Sequence, residues 1–171
     1  SDGDSGWTTS NGADACSSVA GPSSEDRNGC PDGDGDGYSD PDSSWGVALG
    51  ADAYPSDATQ WVDSDGDGYG DNPPPATTGD SCPSTNGLSN QDRYGCTDTD
   101  GDGYSDPDSG WTVGANNADA FINDATQWAD ADSDGYGDNA TGNNPDACPS
   151  THGTSSQAGR LGCTDSDSDG Y

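Results

Sequence analysis

The distribution of apolar residues along the chain predicts turns and loops in place of long helices or strands. Apolar positions follow neither the 3.6-residue period of an amphipathic helix nor the strict alternation of a half-buried strand over any useful length. Two short segments, 54–61 and 121–128, are the best candidates for a single helical turn. The pattern therefore favours a mostly irregular, loop-rich fold without a conventional apolar core.

Composition and charge add a requirement for cations. Only 26% of the 171 residues are hydrophobic, a composition typical of disorder. The acidic residues, however, are Asp with the single exception of Glu25, and they recur at fixed spacings, whereas a solubilising acidic tail mixes Asp and Glu freely. A formal net charge of −30 would expand the chain by self-repulsion unless cations neutralise it. We therefore expect folding and metal binding to be one event.

The Asp residues recur as a nine-residue motif, of which residues 98–106 (DTDGDGYSD) are the clearest copy. Three carboxylates at alternate positions point at one centre only if the backbone curls around it. Gly103 allows the sharp turn, and Tyr104 would offer its backbone carbonyl as a further oxygen ligand. Calcium takes six to eight oxygen ligands in tolerant geometry. The motif therefore predicts Ca²⁺-binding loops.

The motif occurs in two kinds of loop within a period of 66 or 67 residues, measured from Cys30 to Cys96 and from Cys96 to Cys163. Cys-type loops follow a cysteine and begin at Asp32, Asp98 and Asp165; Trp-type loops follow a tryptophan and begin at Asp63 and Asp130. This periodicity divides the chain into repeats 1–38, 39–104 and 105–171, the first of them short and without a Trp-type loop.

The residues at the two ends of the sequence also match the repeat. Tyr171 occupies the seventh position of a loop, and residues 1–7 align with residues 39–45, which begin at the eighth. We therefore expect the repeats to continue, either in a longer chain or by head-to-tail self-association into an open filament.

At these residues the sequence resembles the thrombospondin type 3 calcium repeats, and especially their prokaryotic surface-protein versions. The resemblance rests on the Asp-x-Asp-x-Asp-Gly-x-x-Asp core, on a Gln-x-x-Asp lead-in at Gln60 and Gln127, and on Cys-Pro at Cys82 and Cys148. It implies an elongated, calcium-wrapped rod with little regular secondary structure. It also implies that the ligands are the Asp side chains at positions one, three, five and nine of each loop, together with the backbone carbonyl at position seven. Below, the fifth and the ninth Asp mean the Asp at those positions.

The predicted ligands share these motif positions. They are Asp32, Asp34, Asp36, Tyr38, Asp40 and Asp42; Asp63, Asp65, Asp67, Tyr69 and Asp71; Asp98, Asp100, Asp102, Tyr104, Asp106 and Asp108; Asp130, Asp132, Asp134, Tyr136 and Asp138; Asp165, Asp167, Asp169 and Tyr171; and Asp2 with Asp4. The family often supplies a further Asp at position twelve, where this chain has Ser43, Pro74, Ser109 or Thr141. The remaining ligand is then Asp42 or Asp108, water, or an Asp from a neighbouring segment: Asp52, Asp57, Asp119 or Asp124.

The six cysteines form three pairs along the sequence, Cys16 with Cys30, Cys82 with Cys96 and Cys148 with Cys163, separated by 14 or 15 residues. We expect a disulfide within each pair, because closing a loop of that size removes roughly 3 kcal/mol of unfolded-chain entropy. Zinc binding is the competing use, but ligand pairs two to four residues apart and accompanying histidines are missing. The cysteines favour an oxidising, extracellular or cell-surface location.

The remaining side chains have local interpretations. The arginines, Arg27, Arg93 and Arg160, are predicted to bridge nearby carboxylates. The Tyr and Trp rings are predicted to pack beside the loops, with a sugar-stacking platform as the alternative. Residues 139–141 form an N-glycosylation sequon at Asn139, and Thr77 and Thr78 follow a proline run typical of O-glycan sites.

The sequence favours a structural protein: an extracellular, calcium-stiffened fibre, stalk or spacer that associates with itself and carries covalent glycans. The alternative is a calcium-dependent carbohydrate-binding or adhesive module. An enzyme is not expected, because no His, Lys, Glu or Cys constellation pairs a nucleophile with its base. The negative charge argues against nucleic acid as a partner, and the sequence contains no membrane-spanning apolar run.

Overall fold

A computed structural model of the chain describes residues 13–76 and 78–170. In these ranges the regular elements are one 3₁₀ helix, Val47–Leu49, and two isolated parallel β-bridges, Gly70 with Gly79 and Gly137 with Pro145. The predicted irregular, loop-rich fold is confirmed. No helix within these residues is long and apolar enough to cross a membrane.

The two segments predicted to form helical turns are pairs of consecutive turns. In the first, the amide of Asp57 donates to the carbonyl of Tyr54 and the amide of Gln60 donates to that of Asp57, both at 2.9 Å. The segment from Phe121 to Gln127 repeats these bonds at 2.8 Å. Each pair of turns delivers a buried glutamine to the loop that follows.

The chain divides into two compact units, Ser1–Ser84 and Thr85–Tyr171. The first contains the loops that begin at Asp32 and Asp63, and the second contains those that begin at Asp98, Asp130 and Asp165. The three repeats proposed from the sequence describe its periodicity and stay a prediction.

The interior of each unit is polar. Gln60, Gln127, Asp52 and Asp119 are the largest side chains that are fully buried. The buried apolar residues are small alanines and cysteines: Ala13, Cys30, Ala51, Cys96, Ala118 and Cys163. Since buried polar groups normally require hydrogen-bond partners, specific polar contacts have to take the place of an apolar core.

Disulfides staple the loops locally, as predicted. Cys16 is bonded to Cys30 and Cys148 to Cys163, with Cα atoms 5.0 and 5.1 Å apart. Cys82 and Cys96 are disulfide-bonded as well, and no cysteine is free. The cysteines are therefore structural, and three disulfides in so small a chain are typical of proteins in an oxidising environment.

Aromatic rings and arginines pack against the loops. Tyr38 stacks on Trp61 with ring centroids 5.0 Å apart, and Tyr104 stacks on Trp128 at 5.2 Å. Each stack joins the seventh residue of a Cys-type loop to the tryptophan that leads into the next Trp-type loop. Offset stacking of this kind adds roughly 0.5–1.5 kcal/mol beyond the area buried.

Two of the three predicted arginine bridges are present. Arg27 pairs with Asp42 at 2.8 Å, and Arg93 pairs with Asp108 at 2.7 Å. Each guanidinium also lies over a tryptophan ring, Arg27 over Trp45 at 5.3 Å and Arg93 over Trp111 at 5.0 Å. Arg160 is exposed.

A buried glutamine holds the end of each Trp-type loop. Gln127 accepts the amide hydrogen of Asn139 at 2.9 Å through Oε1, and its Nε2 donates to the carbonyls of Asn139 and Asn143 at 3.0 Å. Gln60 makes the equivalent pair of bonds with Asn72 at 2.9 Å. A Cβ on Gly137 would overlap the side-chain amide of Gln127, so only glycine leaves room for this contact.

We predict that Gly137→Ala destabilises the chain by about 1–3 kcal/mol, because the added methyl group forces the buried amide of Gln127 out of place. Urea unfolding in the presence of calcium, followed by tryptophan fluorescence, measures the change. The matched control is Gly110→Ala, whose Cβ would make only an ordinary contact at 3.6 Å with Asp108. Equal stability of the two variants would show that the glutamine contact is dispensable.

Candidate metal centres

Each of the four Asp-rich loops that extend to a ninth residue is closed by one backbone hydrogen bond. The amide of the ninth residue donates to the carbonyl of the residue that precedes the first Asp. The four bonds are Asp40 to Pro31 at 2.8 Å, Asp71 to Val62 at 2.9 Å, Asp106 to Thr97 at 2.8 Å, and Asp138 to Ala129 at 2.9 Å. These four loops therefore follow the same backbone path, and their Asp side chains point in the same directions.

The first Asp of each loop organises the backbone. In the loop at 98–106, the two carboxylate oxygens of Asp98 accept the amide hydrogens of Gly101 at 2.7 Å and Gly103 at 2.9 Å. Asp32 and Asp63 make the same two bonds to the glycines at positions four and six of their loops. Gly103 has φ of 96°, in the left-handed region that favours glycine, as expected for the sharp turn.

In the loops that begin at Asp32, Asp63, Asp98 and Asp130, the Asp at position five accepts the amide hydrogen of the seventh residue. Oδ1 of Asp102 accepts the amide hydrogen of Tyr104 at 2.8 Å, and Asp36 accepts that of Tyr38 at the same distance. This bond uses one oxygen of the carboxylate and fixes the turn at the seventh residue, whose carbonyl stays a predicted ligand.

The first, third and fifth Asp of every loop converge. In each of five triplets, ligand oxygens of the three residues lie within 4.8 Å of one another. The triplets are Asp32, Asp34 and Asp36; Asp63, Asp65 and Asp67; Asp98, Asp100 and Asp102; Asp130, Asp132 and Asp134; and Asp165, Asp167 and Asp169. The four triplets up to Asp134 are partly buried, and the fifth is more exposed.

Several oxygens in these triplets are buried without a hydrogen-bond partner. They are Oδ2 of Asp34, Asp36, Asp100 and Asp102, and both carboxylate oxygens of Asp65 and Asp132. A buried carboxylate without a partner is costly, and bringing three of them together adds mutual repulsion. A cation in the centre removes both costs, so the repeated triplets can hold metal ions.

The ninth Asp lies at the rim of the loop and contacts its second residue. Oδ1 of Asp106 accepts the amide hydrogen of Thr99 at 3.1 Å, and Oδ2 accepts its hydroxyl hydrogen at 2.6 Å. Asp71 makes the same pair of contacts with Ser64, while Asp40 and Asp138 accept the amide hydrogen of the second residue. The predicted ninth ligands are therefore placed beside the triplets, where they brace the loop.

The aspartates predicted as alternatives for the remaining ligand differ in their burial and in their contacts. Asp42 and Asp108 are exposed and pair with arginines. Asp57 and Asp124 accept turn hydrogen bonds from Thr59 and Thr126 and are only partly buried. Asp52 and Asp119, by contrast, are fully buried beside the Cys-type loops.

Two further buried aspartates, Asp80 and Asp146, lie beside the Trp-type loops and were missed by sequence reasoning. Both stand two residues before the first cysteine of a disulfide, in Asp80-Ser-Cys82 and Asp146-Ala-Cys148. The recurrence of Asp at that spacing was the available signal. Without the fold, however, nothing connected it with a loop some 16 residues earlier.

The pKa values of these buried aspartates are raised, as expected for carboxyl groups buried beside other carboxylates. Burial raises the pKa of Asp52 to about 6, and the carboxylates of Asp36 and Asp34 add to the effect. Burial raises the pKa of Asp119 to about 7 and that of Asp80 to about 6, again beside triplet carboxylates. A cation would oppose these shifts, because it favours the charged form.

Two more aspartates missed from the sequence support the Cys-type loops from outside. Asp26 accepts both the amide and hydroxyl hydrogens of Ser39, at 2.9 and 2.5 Å, and Asp92 does the same for Ser105 at 2.9 and 2.6 Å. The indole of the tryptophan that follows each loop also donates to this carboxylate. These contacts hold the eighth residue of the Cys-type loops, whereas Gln60 and Gln127 hold the tenth residue of the Trp-type loops.

Other predicted residues fall at the edge of the site or outside it. Asp2, Asp4, Thr77 and Tyr171 lie outside the described residues. Thr78 is exposed, whereas the side-chain amide of Asn139 donates to the carbonyl of Thr126 at 2.8 Å. Nδ1 of His152 lies 3.3 Å from the carbonyl oxygen of Asp132. The glycosylation of Asn139, Thr77 and Thr78 stays a prediction.

Comparison with models of known protein families finds no match for this chain, and comparison with curated proteins finds none either. The assignment of the centres therefore rests on their residues and geometry.

We predict that divalent-cation affinity falls as the pH is lowered from 8 to 5. The raised pKa values of Asp52, Asp80 and Asp119 mean that a cation must displace protons near pH 6, whereas at pH 8 these groups are already ionised. Calorimetric titration in buffers of different ionisation enthalpy should detect proton release at pH 6 and little at pH 8. An affinity that stays constant across this range would contradict the prediction.

Proposed function

We propose that this chain is an extracellular structural protein whose Asp-rich loops bind Ca²⁺ and are made rigid by it. The observation that carries the proposal is the recurrence of the triplet: five clusters, each with carboxylate oxygens within 4.8 Å of one another, along a chain of 171 residues. A single acidic cluster is common without a metal, but five in one register are difficult to explain by solvation alone.

The donor set supports calcium over other cations. The triplets offer only carboxylate oxygens, which suit hard cations, and calcium accepts six to eight oxygen ligands in variable geometry. Magnesium demands a tighter octahedral shell and gives up its water reluctantly. Zinc prefers sulfur and nitrogen ligands, yet every cysteine of this chain is oxidised.

The proposed mechanism couples folding to calcium. The chain has a net charge of −30, and residues 13–76 and 78–170 bury only small apolar side chains, which contribute little of the apolar burial that stabilises ordinary domains. A ligand that binds only the folded state contributes about 2.7 kcal/mol per site at one hundred times its dissociation constant. Several sites together would therefore supply the stability of the fold, as in the thrombospondin type 3 repeats that the motif resembles.

The same arrangement suits a fibre, stalk or spacer. Every loop is closed by contacts close in sequence, so the structure can be lengthened by adding repeats, as in other repeat proteins. We propose that such repeats continue end to end, within a longer chain or between copies of this one, at the cell surface or outside it. Disulfides are compatible with that location.

We predict that removal of calcium with EGTA disassembles or softens the native fibres and that calcium restores them. Negative-stain microscopy of the native material before chelation, after chelation and after add-back measures the effect, with magnesium add-back as the control. Fibres that stay unchanged after chelation would mean that disulfides, glycans or packing between subunits hold the assembly. That result would contradict the proposed structural role of the loops.

The competing function, a calcium-dependent carbohydrate-binding module, predicts a different result. It requires a tryptophan face that is free to stack on a sugar. Trp61 and Trp128 each have one face covered by a tyrosine, and Trp45 and Trp111 each lie under an arginine. Calcium-dependent retention of one sugar class on a glycan array, lost with EGTA, would favour this alternative over the fibre.

A further inference from the structure

Four aspartates downstream of the triplets share one backbone contact. In each, the amide nitrogen donates to the carbonyl of the eighth residue of the preceding loop. The bonds are Asp52 to Ser39 at 3.0 Å, Asp80 to Gly70 at 2.7 Å, Asp119 to Ser105 at 2.9 Å, and Asp146 to Gly137 at 2.8 Å. We call these four residues the closing aspartates. This bond holds each closing aspartate beside the eighth residue of its loop, shortly after the last residue of the triplet.

The side chains of the closing aspartates are also held in one way. Oδ1 accepts the amide hydrogen of the residue two positions later: Tyr54, Cys82, Phe121 and Cys148, at 2.6–2.7 Å. This turn uses one carboxylate oxygen and fixes the direction of the other. Oδ2 of Asp52, Asp80 and Asp146 is buried without a hydrogen-bond partner.

The closing carboxylates lie near the triplets. A Cβ placed on Gly162 would contact Oδ1 of Asp146 and Oδ2 of Asp134, so both carboxylates line the space beside this glycine. Among the carboxylates that raise the pKa of Asp52, Asp36 and Asp34 of the preceding triplet have the largest effect, after burial itself. All four residues are at most 6% exposed.

Ordinary packing does not account for this arrangement. A buried, unpartnered carboxylate beside three others is costly, and a chain with exposed positions nearby could place an Asp in water instead. A less buried arrangement exists in the same chain: Asp124 forms the same two-residue turn with Thr126, but it is only partly buried and its Oδ1 has hydrogen-bond donors in Thr126 and Asn143. The buried arrangement recurs at four loops, which indicates that these carboxylates are there to bind the cation.

We infer that the closing aspartates are the fourth carboxylate ligands of the cation sites. Asp52 and Asp119 complete the Cys-type sites that begin at Asp32 and Asp98, and Asp80 and Asp146 complete the Trp-type sites that begin at Asp63 and Asp130. Each site then joins residues 16 to 21 positions apart. The inference rests on the proposed function, since it names the ligands that calcium would use.

This assignment changes what each cation does to the chain. A site built from one loop alone would only rigidify that loop. With a closing aspartate, each ion ties a loop to the segment that leads into the next loop or the next disulfide, so the sites connect successive segments in chain order.

The test compares Asp119→Asn with Asp124→Asn in the oxidised full chain. An asparagine oxygen can still accept the amide hydrogen at either turn, so both variants lose charge and keep the turn. Calcium calorimetry should show one site weakened by about tenfold or more in Asp119→Asn, because affinity follows the count of charged ligands. Asp124→Asn should retain the wild-type isotherm.

Terbium luminescence supplies a readout that a purely structural role would not move. Lifetimes measured in H₂O and D₂O count the waters on each bound ion, and loss of a carboxylate ligand admits about one additional water at one site. Destabilisation alone would lower occupancy without adding water to the ions that remain bound. Asp146→Asn, which tests a Trp-type site, should give the same result and replaces Asp119→Asn if that variant does not fold.

The outcomes distinguish the inference from the function on which it rests. Wild-type chain that binds no calcium would overturn the proposed function. Wild-type chain that binds calcium, with Asp119→Asn and Asp146→Asn matching Asp124→Asn in affinity and hydration, would overturn the inference and leave the function standing.

Discussion

The convergence of like charges is the constraint on which the structure depends. Five triplets of aspartates are gathered into loops whose inner oxygens are partly or fully shielded from water. Among the described residues, the buried apolar side chains are alanines and cysteines, so apolar burial offsets little of this repulsion. A cation at the centre of each triplet would relieve the repulsion between the carboxylates. Five Ca²⁺ ions would offset a third of the formal charge of −30, so the surface would stay strongly acidic even with every site filled.

The polar interior follows from the same constraint. Each loop has to be held at its end by something small enough to leave the cation site open and polar enough to satisfy the backbone. Trp-type loops use a neutral glutamine, Gln60 or Gln127, and Cys-type loops use a carboxylate, Asp26 or Asp92. The two kinds of loop thus reach the same geometry through different chemistry, which explains why their flanking sequences differ although their Asp spacing does not.

What could be predicted from the sequence was local. The loops and the disulfide pairs depend on residues within about 15 positions of one another, so motif spacing and loop-closure arguments were sufficient. Asp80 and Asp146 could not be recognised, because their position beside the triplets depends on a backbone contact with the eighth residue of an earlier loop. The positions of Asp42 and Asp108 could not be predicted from the sequence either. Each pairs with an arginine 15 positions earlier, and that contact depends on the path of the chain between the arginine and the aspartate.

The stacked pairs Tyr38 with Trp61 and Tyr104 with Trp128 have a mechanical meaning. Each ring pair links two successive Asp-rich loops of the same unit: the tyrosine belongs to one loop, and the tryptophan precedes the next. Each stack is a non-covalent contact in parallel with the backbone that runs between its two rings. It therefore has to break before residues 39–60 or residues 105–127 can be pulled straight.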